Sequence, residues 1–386
     1  MPSHPAWRPA LRAASLIAVA FACSLVSAWP ASAADLRPAL AVLQGVRNEG
    51  LDNRSASQAW LVVAQAPASQ LPEMLSALDE ANPLGANWIR AAVDTVADRT
   101  LRSEGKLPAA ELEAFVRDVR HDPRARRLAY EWLSRSDAAA ADRLIPGMLH
   151  DPGTEFRRDA VARLLSEAAA KLDGDEPPAA RLLYREALSG AVDHDQVELI
   201  AERLSGLGED VDLPRHFGYL MQWKLIGPFD NTDESGYAVA YPPEREQDLA
   251  ASYPGKSGTV AWIDLSTSAK DGEVDLNQAL GKTPGAIAYA YTQFICDDQR
   301  EVDLRLTSPN ATKVWVNGRL VDEHEVYHAG SQFDQYIARA ILEPGTNHIL
   351  IKICQNERTE DWAQVWSFRF RVTDAVGSAI LSADRR

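Results

Sequence analysis

Two different spacings of apolar residues divide the 386-residue chain. Up to about residue 210, apolar positions recur every three or four residues, the spacing that gathers them on one face of an α-helix. The segments SASQAWLVVAQA, GANWIRAAVDTVADRTLR, PAAELEAFVRDVRHD, FRRDAVARLLSEAAAKL, AARLLYREALSGA and DHDQVELIAERLSGLG all read this way. They are rich in Ala and Leu, which lose little conformational freedom in a helix. Helix starts are signalled at Ser55 or Ser57, at Asp122 before Pro123 and at Asp151 before Pro152. An oxygen-bearing side chain caps free N–H groups, and Pro suits the first helical position. A weak internal repeat runs through this half. HDPRARRLAYEWL begins at His121 and HDPGTEFRRDAVARL at His150; with a two-residue insertion Ala129 aligns with Ala160, and Leu133 with Leu164. Short helical units must stack to bury their apolar faces, so a helical repeat stack is expected, with an irregular bundle as the alternative. His121 and His150 then fall in turns before helices rather than in a metal site.

The helical spacing breaks in GEDVDLPRHFGYL, residues 208–220, and a period of two follows. Val302, Leu304 and Leu306 alternate with Asp303 and Arg305. Trp366, Phe368, Phe370 and Val372 alternate with Ser367, Arg369 and Arg371, while Met221, Trp223 and Leu225 share one face. This pattern predicts strands with one buried side. Eight are expected, over 219–227, 259–265, 286–296, 301–307, 312–317, 333–342, 347–354 and 365–373, separated by turn signals such as Asn317-Gly318 and Pro344-Gly345. The expected organisation is a multidomain α plus β chain. An all-α helical repeat domain over 34–210 precedes an all-β jelly-roll sandwich over 215–380.

The first residues change the picture. Arg8 and Arg12 precede the apolar run AASLIAVAFACSLVSAW, and Ala31 and Ala33 make an A-x-A cleavage signal, so residues 1–33 read as a secretory signal peptide. A retained membrane anchor and a lipoprotein signal at Cys23 are the weaker alternatives. No other stretch is long and apolar enough to span a bilayer. An exported, periplasmic or extracellular protein is therefore expected. Losing the two arginines takes the formal charge from −15 to −17, which excludes nucleic acid as a partner because phosphates demand a basic footprint. The mature chain keeps Cys296 and Cys354. In an oxidising compartment they either pair as a disulfide or stay as two separate buried thiols.

TKVWVNGRLV followed by LEPGTNHILIKI is more specific than strand counting. These segments resemble the sugar-binding-type jelly roll of glycoside hydrolase family 2, within the galactose-binding-like class. The matching positions are Val314 to Gly318, then Leu342, Gly345, Asn347, and Ile349 to Ile353. AYAYTQF is similar to the preceding strand of that module, and WKLIGPFDN, Trp223 to Asn231, to the entrance segment of similar modules in exported bacterial proteins. The resemblance covers roughly residues 215–380. Where such modules often carry an acidic turn, this chain has Pro309-Asn310-Ala311. No catalytic barrel is expected after the module, so the hydrolase activity of those enzymes is not expected to carry over, and the fold alone does not give a function. The helical half loosely resembles HEAT-type repeats.

His324-Glu325-Val326-Tyr327-His328 matches the H-E-x-x-H pattern of zinc peptidases. On a helix such histidines lie one turn apart and share an ion. In extended chain they are roughly 13 Å apart, too far for one metal. The following Gly330 and the lack of a helical stripe predict a loop. No metal or cofactor is expected, and the pair Asp297-Asp298 reads as a solvated turn rather than a calcium site. Aromatic residues are the better signal. Trp315 points away from Val314 and Val316, and Trp362 lies in the polar loop QNERTEDWAQ. Exposed rings stack on sugar faces or cover a neighbouring domain. The candidate ligand-binding residues are Trp315, Asn317, His324, Tyr327, His328, Gln332, Asp334 and Trp362. The expected function is non-catalytic binding or scaffolding in the bacterial envelope, with the sandwich engaging carbohydrate or another envelope component and the helices docking a protein. A purely structural subunit and a hydrolase are the alternatives.

Overall fold

The computed structural model describes residues 35–47 and 50–385; the expected signal peptide and Cys23 lie outside the described residues. The order of elements is helices first and antiparallel strands second. The helices before the first strand are α1 (Arg37–Gln44), α2 (Asn53–Val63), α3 (Leu71–Ser76), α4 (Pro83–Glu104), α5 (Ala109–Arg117), α6 (Pro123–Ser136), α7 (Ala140–Leu144), α8 (Thr154–Asp173), α9 (Pro177–Gly190), α10 (His194–Gly206) and α11 (Leu213–Phe217); two short ones, α12 (Pro242–Arg245) and α13 (Leu276–Leu280), lie among the strands. Helices adjacent in sequence pack on each other: α1 on α2, α5 on α6, and α8 on α9. None of the described helices is long and apolar enough to cross a membrane.

Local chemistry explains the helix starts. Asp122 accepts the Arg124 N–H at 2.8 Å and caps α6, with Pro123 opening the first turn. Asp151 does not cap α8, which starts after Gly153; its carboxylate turns to the guanidinium of Arg126 instead. Pro214, read as a break, lies in the first turn of α11, which Asp212 caps by accepting the Arg215 N–H at 3.0 Å. A Pro there forfeits no helical hydrogen bond.

The strands form two facing sheets. One has six strands in the order β4 (Ile263–Ser266), β1 (Gln222–Asp230), β6 (Ala286–Cys296), β11 (Gly345–Cys354), β8 (Ala311–Val316) and β9 (Arg319–His324). The other has β10 (Tyr336–Leu342), β7 (Arg300–Thr307), β12 (Ser367–Thr373) and β5 (Val274–Asp275). A separate hairpin joins β2 (Ser252–Gly255) to β3 (Gly258–Ala261). The predicted strand at 259–265 is broken at Trp262 into β3 and β4, and β9 is a strand not among the eight expected. The core between the sheets holds Trp223, Leu225, Val302, Leu304, Leu306, Ile349, Ile351, Ile353, Trp366, Phe368, Phe370 and Val372. Met221 departs from the shared face, precedes β1 and packs with the helices.

Both faces of the central strands of the six-stranded sheet are buried. Its outer face carries Ile226, Phe229, Tyr289, Tyr291 and Leu350 under Tyr237 and Val260. Residues 286–291 are accordingly buried without a break, as expected of a strand with cover on both sides. Lys352, in that apolar ladder, is fully buried. Its Nζ donates to the carbonyls of Gly236, Tyr237 and Val239 at 3.0, 3.0 and 2.7 Å and to Glu244 Oε1 at 2.9 Å. Tyr289 Oη donates to the same carboxylate oxygen. A buried ammonium is tolerated because each of its donors has an acceptor.

Cys296 lies opposite Gly345 and Cys354 opposite Ile287, at the two ends of one ladder. At about 3.4 Å per residue they are roughly 30 Å apart, whereas a disulfide spans Cα atoms about 4.4–6.8 Å apart. The two cysteines are buried and do not pair with each other, which settles the two readings left open by the sequence. Burial pushes the Cys354 thiol up to about 12.

The halves meet along β12 and α11. Arg371 is buried and donates from Nη1 to the Phe217 carbonyl at 3.0 Å, and from Nε and Nη2 to Asp334 at 2.7 and 2.5 Å. Phe333 packs on Phe217 and His194. The alternate face of β7 and β12, polar in sequence, is thus covered at Asp303 and Arg371, while Glu301 stays exposed.

Candidate functional site

Sheet register brings three loops to one end of the sandwich. Asp230 pairs with Ala286, Ile287 with Cys354, Cys354 with Ala311, and Thr312 with His324. The segments after β1, β9 and β11 therefore leave the sheet side by side. Asn231, fully buried, ties all three. Its Nδ2 donates to the Gln355 carbonyl at 2.9 Å and to Tyr327 Oη at 3.1 Å, and its N–H to the Gly285 carbonyl at 2.8 Å. Gly236 lets the first loop lie flat on the sheet, since a Cβ there would come 2.2 Å from the Asp230 carbonyl oxygen.

Above this anchor the side chains form a chain of contacts. Asp233 and Glu234 both occupy the left-handed region, at φ 55° and 59°, a conformation costing non-glycine residues of order 1–3 kcal/mol each. Hydrogen bonds hold it: the Asp233 N–H donates to Glu357 Oε2 at 3.0 Å, and Asn356 Nδ2 to Glu234 Oε1 at 3.0 Å. His328, also left-handed at φ 60°, lies with Nε2 3.2 Å from Asn356 Oδ1. Its ring meets Trp362 edge-on, with centroids 5.0 Å apart. Trp362 is 63% exposed, and among the described residues it is the single Phe, Trp or Tyr that is exposed rather than buried or half-buried. Beside it lies an open depression lined by Asp233, Glu234, Asn356, Glu357, Arg358 and Glu360. Four carboxylates against one guanidinium give its rim a negative excess. Backbone hydrogen bonding holds the Glu360 carboxyl below its usual value. The arrangement offers hydrogen-bond acceptors, an amide and a flat apolar ring; it can stack and hydrogen-bond a polar ligand.

Of the residues singled out in the sequence, Tyr327, His328 and Trp362 come together here. The others lie elsewhere. Trp315 packs on the outer apolar cluster of the six-stranded sheet. Asn317 locks a turn, donating from Nδ2 to Asn347 Oδ1 at 2.9 Å and accepting the His348 N–H at 2.8 Å. His324 stacks on Tyr336 at 3.8 Å and pairs with Asp322 at 3.0 Å. Burial raises the Asp322 carboxyl against the pull of His324. Gln332 contributes its carbonyl to Thr307 Oγ1 at 3.0 Å. Asp334 is an internal counter-ion for Arg371 and Arg305. Burial works to raise its pKa, but the two guanidiniums win and hold it below the usual value. The helical geometry of H-E-x-x-H does not form: His324 ends β9, His328 sits in a turn, and their partners differ. Asn231, Glu234 and Asn356 were missed as site residues; only the GPFDN segment hinted at Asn231.

No protein-family model matches the chain, and no curated protein sequence matches it. Solved structures similar to part of it include a β-glucosidase from Kluyveromyces marxianus, 10% identical, covering 39% of this chain and 16% of that one, with a TM-score of 0.27. A β-glucuronidase from an uncultured Clostridium sp. is 16% identical over 41% of this chain and 29% of that one, at a TM-score of 0.24. An anti-sigma factor domain-containing protein from Clostridium clariflavum is 9% identical over 43% of this chain and 46% of its own length, at 0.25. The chain spans less than half the length of each of these proteins, and likenesses this slight carry no argument about its activity.

Proposed function

We propose that this is an exported, non-catalytic binding protein whose sandwich, a jelly roll of the galactose-binding-like class, takes a carbohydrate at the loop end around Trp362, while a HEAT-like helical stack docks a protein of the bacterial envelope. The observation that carries the sugar reading is the exposed Trp362 indole in an otherwise polar loop, buttressed by His328, which in turn is hydrogen-bonded to Asn356 and through it to Glu234. An exposed indole on the same loop end as amide and carboxylate groups supplies the two elements of saccharide recognition, an apolar face and directed hydrogen bonds. The acidic rim favours neutral or amino sugars over uronates, whose carboxylates it repels.

The test is a glycan array and polysaccharide pull-down with the mature chain. Retention of a neutral or amino polysaccharide is expected, weakened about tenfold or more by Trp362→Ala, since anchoring aromatic rings dominate binding energy. Absence of retention on every glycan would sink the reading. A purely structural role is the second reading. It is favoured by the internal use of Asp334 and Asn317, and it predicts a stable protein partner in place of a glycan.

A further inference from the structure

Three arginines are buried among the described residues: Arg126, Arg371 and Arg157, at 1%, 1% and 8% exposure. Buried charge is ordinarily paired, and two of the three obey. Arg126 donates from Nη1 and Nη2 to both oxygens of Asp151 at 2.9 and 2.7 Å, and Arg371 grips Asp334 likewise. Arg157 does not. Its Nε donates to the Asp151 carbonyl at 3.2 Å and its Nη1 to Ser378 Oγ at 2.8 Å. No carboxylate among the described residues ion-pairs with it, and Nη2 has no protein acceptor among them.

The internal repeat explains the difference. The register that aligns Ala129 with Ala160 also aligns Arg126 with Arg157. In the first unit the arginine reaches forward to Asp151, at the start of the next unit. In the second, the acids that open α10, Asp193 and Asp195, are taken by Arg158 at 3.1 and 2.7 Å. What meets Arg157 is the Gly377–Ser378 turn of the sandwich, which offers a hydroxyl and no charge. Arg157 lines a cavity of about 170 Å³ between the halves, with Ser189, Ala191, His216, Phe217 and Ser378. His216 Nε2 lies 3.0 Å from the Ala191 carbonyl, and burial holds its pKa down. The neighbouring Asp151 carboxylate is already neutralised by Arg126.

We propose that this cavity binds a small oxyanion, a carboxylate or phosphate group, on the open side of Arg157, where it replaces the missing acid of the repeat and bridges the helices to the sandwich. The cavity lies below the roughly 300–1,000 Å³ of sites for drug-sized ligands, which limits the ligand to the size of inorganic phosphate or a short carboxylic acid. A planar guanidinium is suited to either group.

The experiment is thermal unfolding of the mature chain titrated with sodium phosphate and, separately, sodium acetate, with ionic strength held by sodium chloride. A saturable rise in Tm is expected with at least one anion, and which one responds distinguishes phosphoryl from carboxylate recognition. Arg157→Gln should weaken the response about tenfold or more. Ser189→Leu, which crowds the exposed rim of the cavity and keeps the guanidinium, should abolish it, and decides the matter if Arg157→Gln fails to fold. No saturable rise with either anion, or an equal rise in Ser189→Leu, overturns the proposal. The result is independent of glycan binding at Trp362.

Discussion

The two halves tether their parts with buried cations over very different chain distances. In the helices, Arg126 and Asp151 are 25 residues apart and link successive units. In the sandwich, Lys352 reaches back 108 residues to Glu244, and Arg371 reaches back 154 to the Phe217 carbonyl. Helical units meet neighbours in sequence, so each can open with little cost to distant ones. The sandwich is closed by contacts that form only when the whole chain has folded back. Charge does the same physical task in both halves, but its loss has local consequences in one and global consequences in the other.

Lys352→Met should show the largest effect. It removes the ammonium shared by Glu244 and three carbonyls and leaves the Glu244 carboxylate with no cation, only the Tyr289 hydroxyl, costing about 3–5 kcal/mol, and chemical denaturation should report it together with faster proteolysis near Val239. Little change in stability would mean that the covering segment holds itself in place. Asp334→Asn should cost about 3 kcal/mol at neutral pH, because the buried Arg371 loses its counter-ion and Arg305 is left with Asp303 alone. Asp334 has a depressed folded-state pKa, so its stabilisation is present above the unfolded value near about 3.9 and is lost as pH falls through the folded value. The gap between wild type and variant should therefore begin to narrow below about pH 4 and close only below the depressed folded value. Asp151→Asn should cost about 2–3 kcal/mol, with faster amide exchange confined to α6 and α8. Exchange spreading equally into the sandwich would erase the contrast between the halves. Trp362→Ala should change stability by less than about 0.5 kcal/mol while weakening glycan retention. The Cys354 thiol, buried and raised to about 12, should resist alkylation at pH 8 until the chain unfolds.

Legibility followed the same division. Ala129, Leu133 and Ala160 announced their helix faces because a helix reads its own sequence at fixed spacing. The alternation of Trp366, Phe368, Phe370 and Val372 marked the inner face of β12 correctly. What alternation cannot show is the cover on the other face. Asp303 and Arg371 look solvated in sequence, yet both are buried. Lys352 looks like an interruption of an apolar strand and is instead the anchor of a distant loop. At the candidate site, Trp362 stood out because an apolar ring in a polar loop contradicts its surroundings. Asn231, Glu234 and Asn356 did not, because each is an ordinary loop residue until sheet register sets it beside the others.

The sequence by itself determined the change of spacing near residue 210, the helices before it, most strands after it and the inner face of the sandwich. These follow from local backbone geometry and the burial of apolar side chains. The tertiary structure alone decided which polar groups became internal partners, that Cys296 and Cys354 stand too far apart to bond, that Tyr327, His328 and Trp362 share one end, and that Arg157 meets a serine where its repeat counterpart meets an aspartate. Those outcomes depend on residues tens to hundreds of positions apart, whose encounter is set by strand order and register, and no local periodicity encodes them.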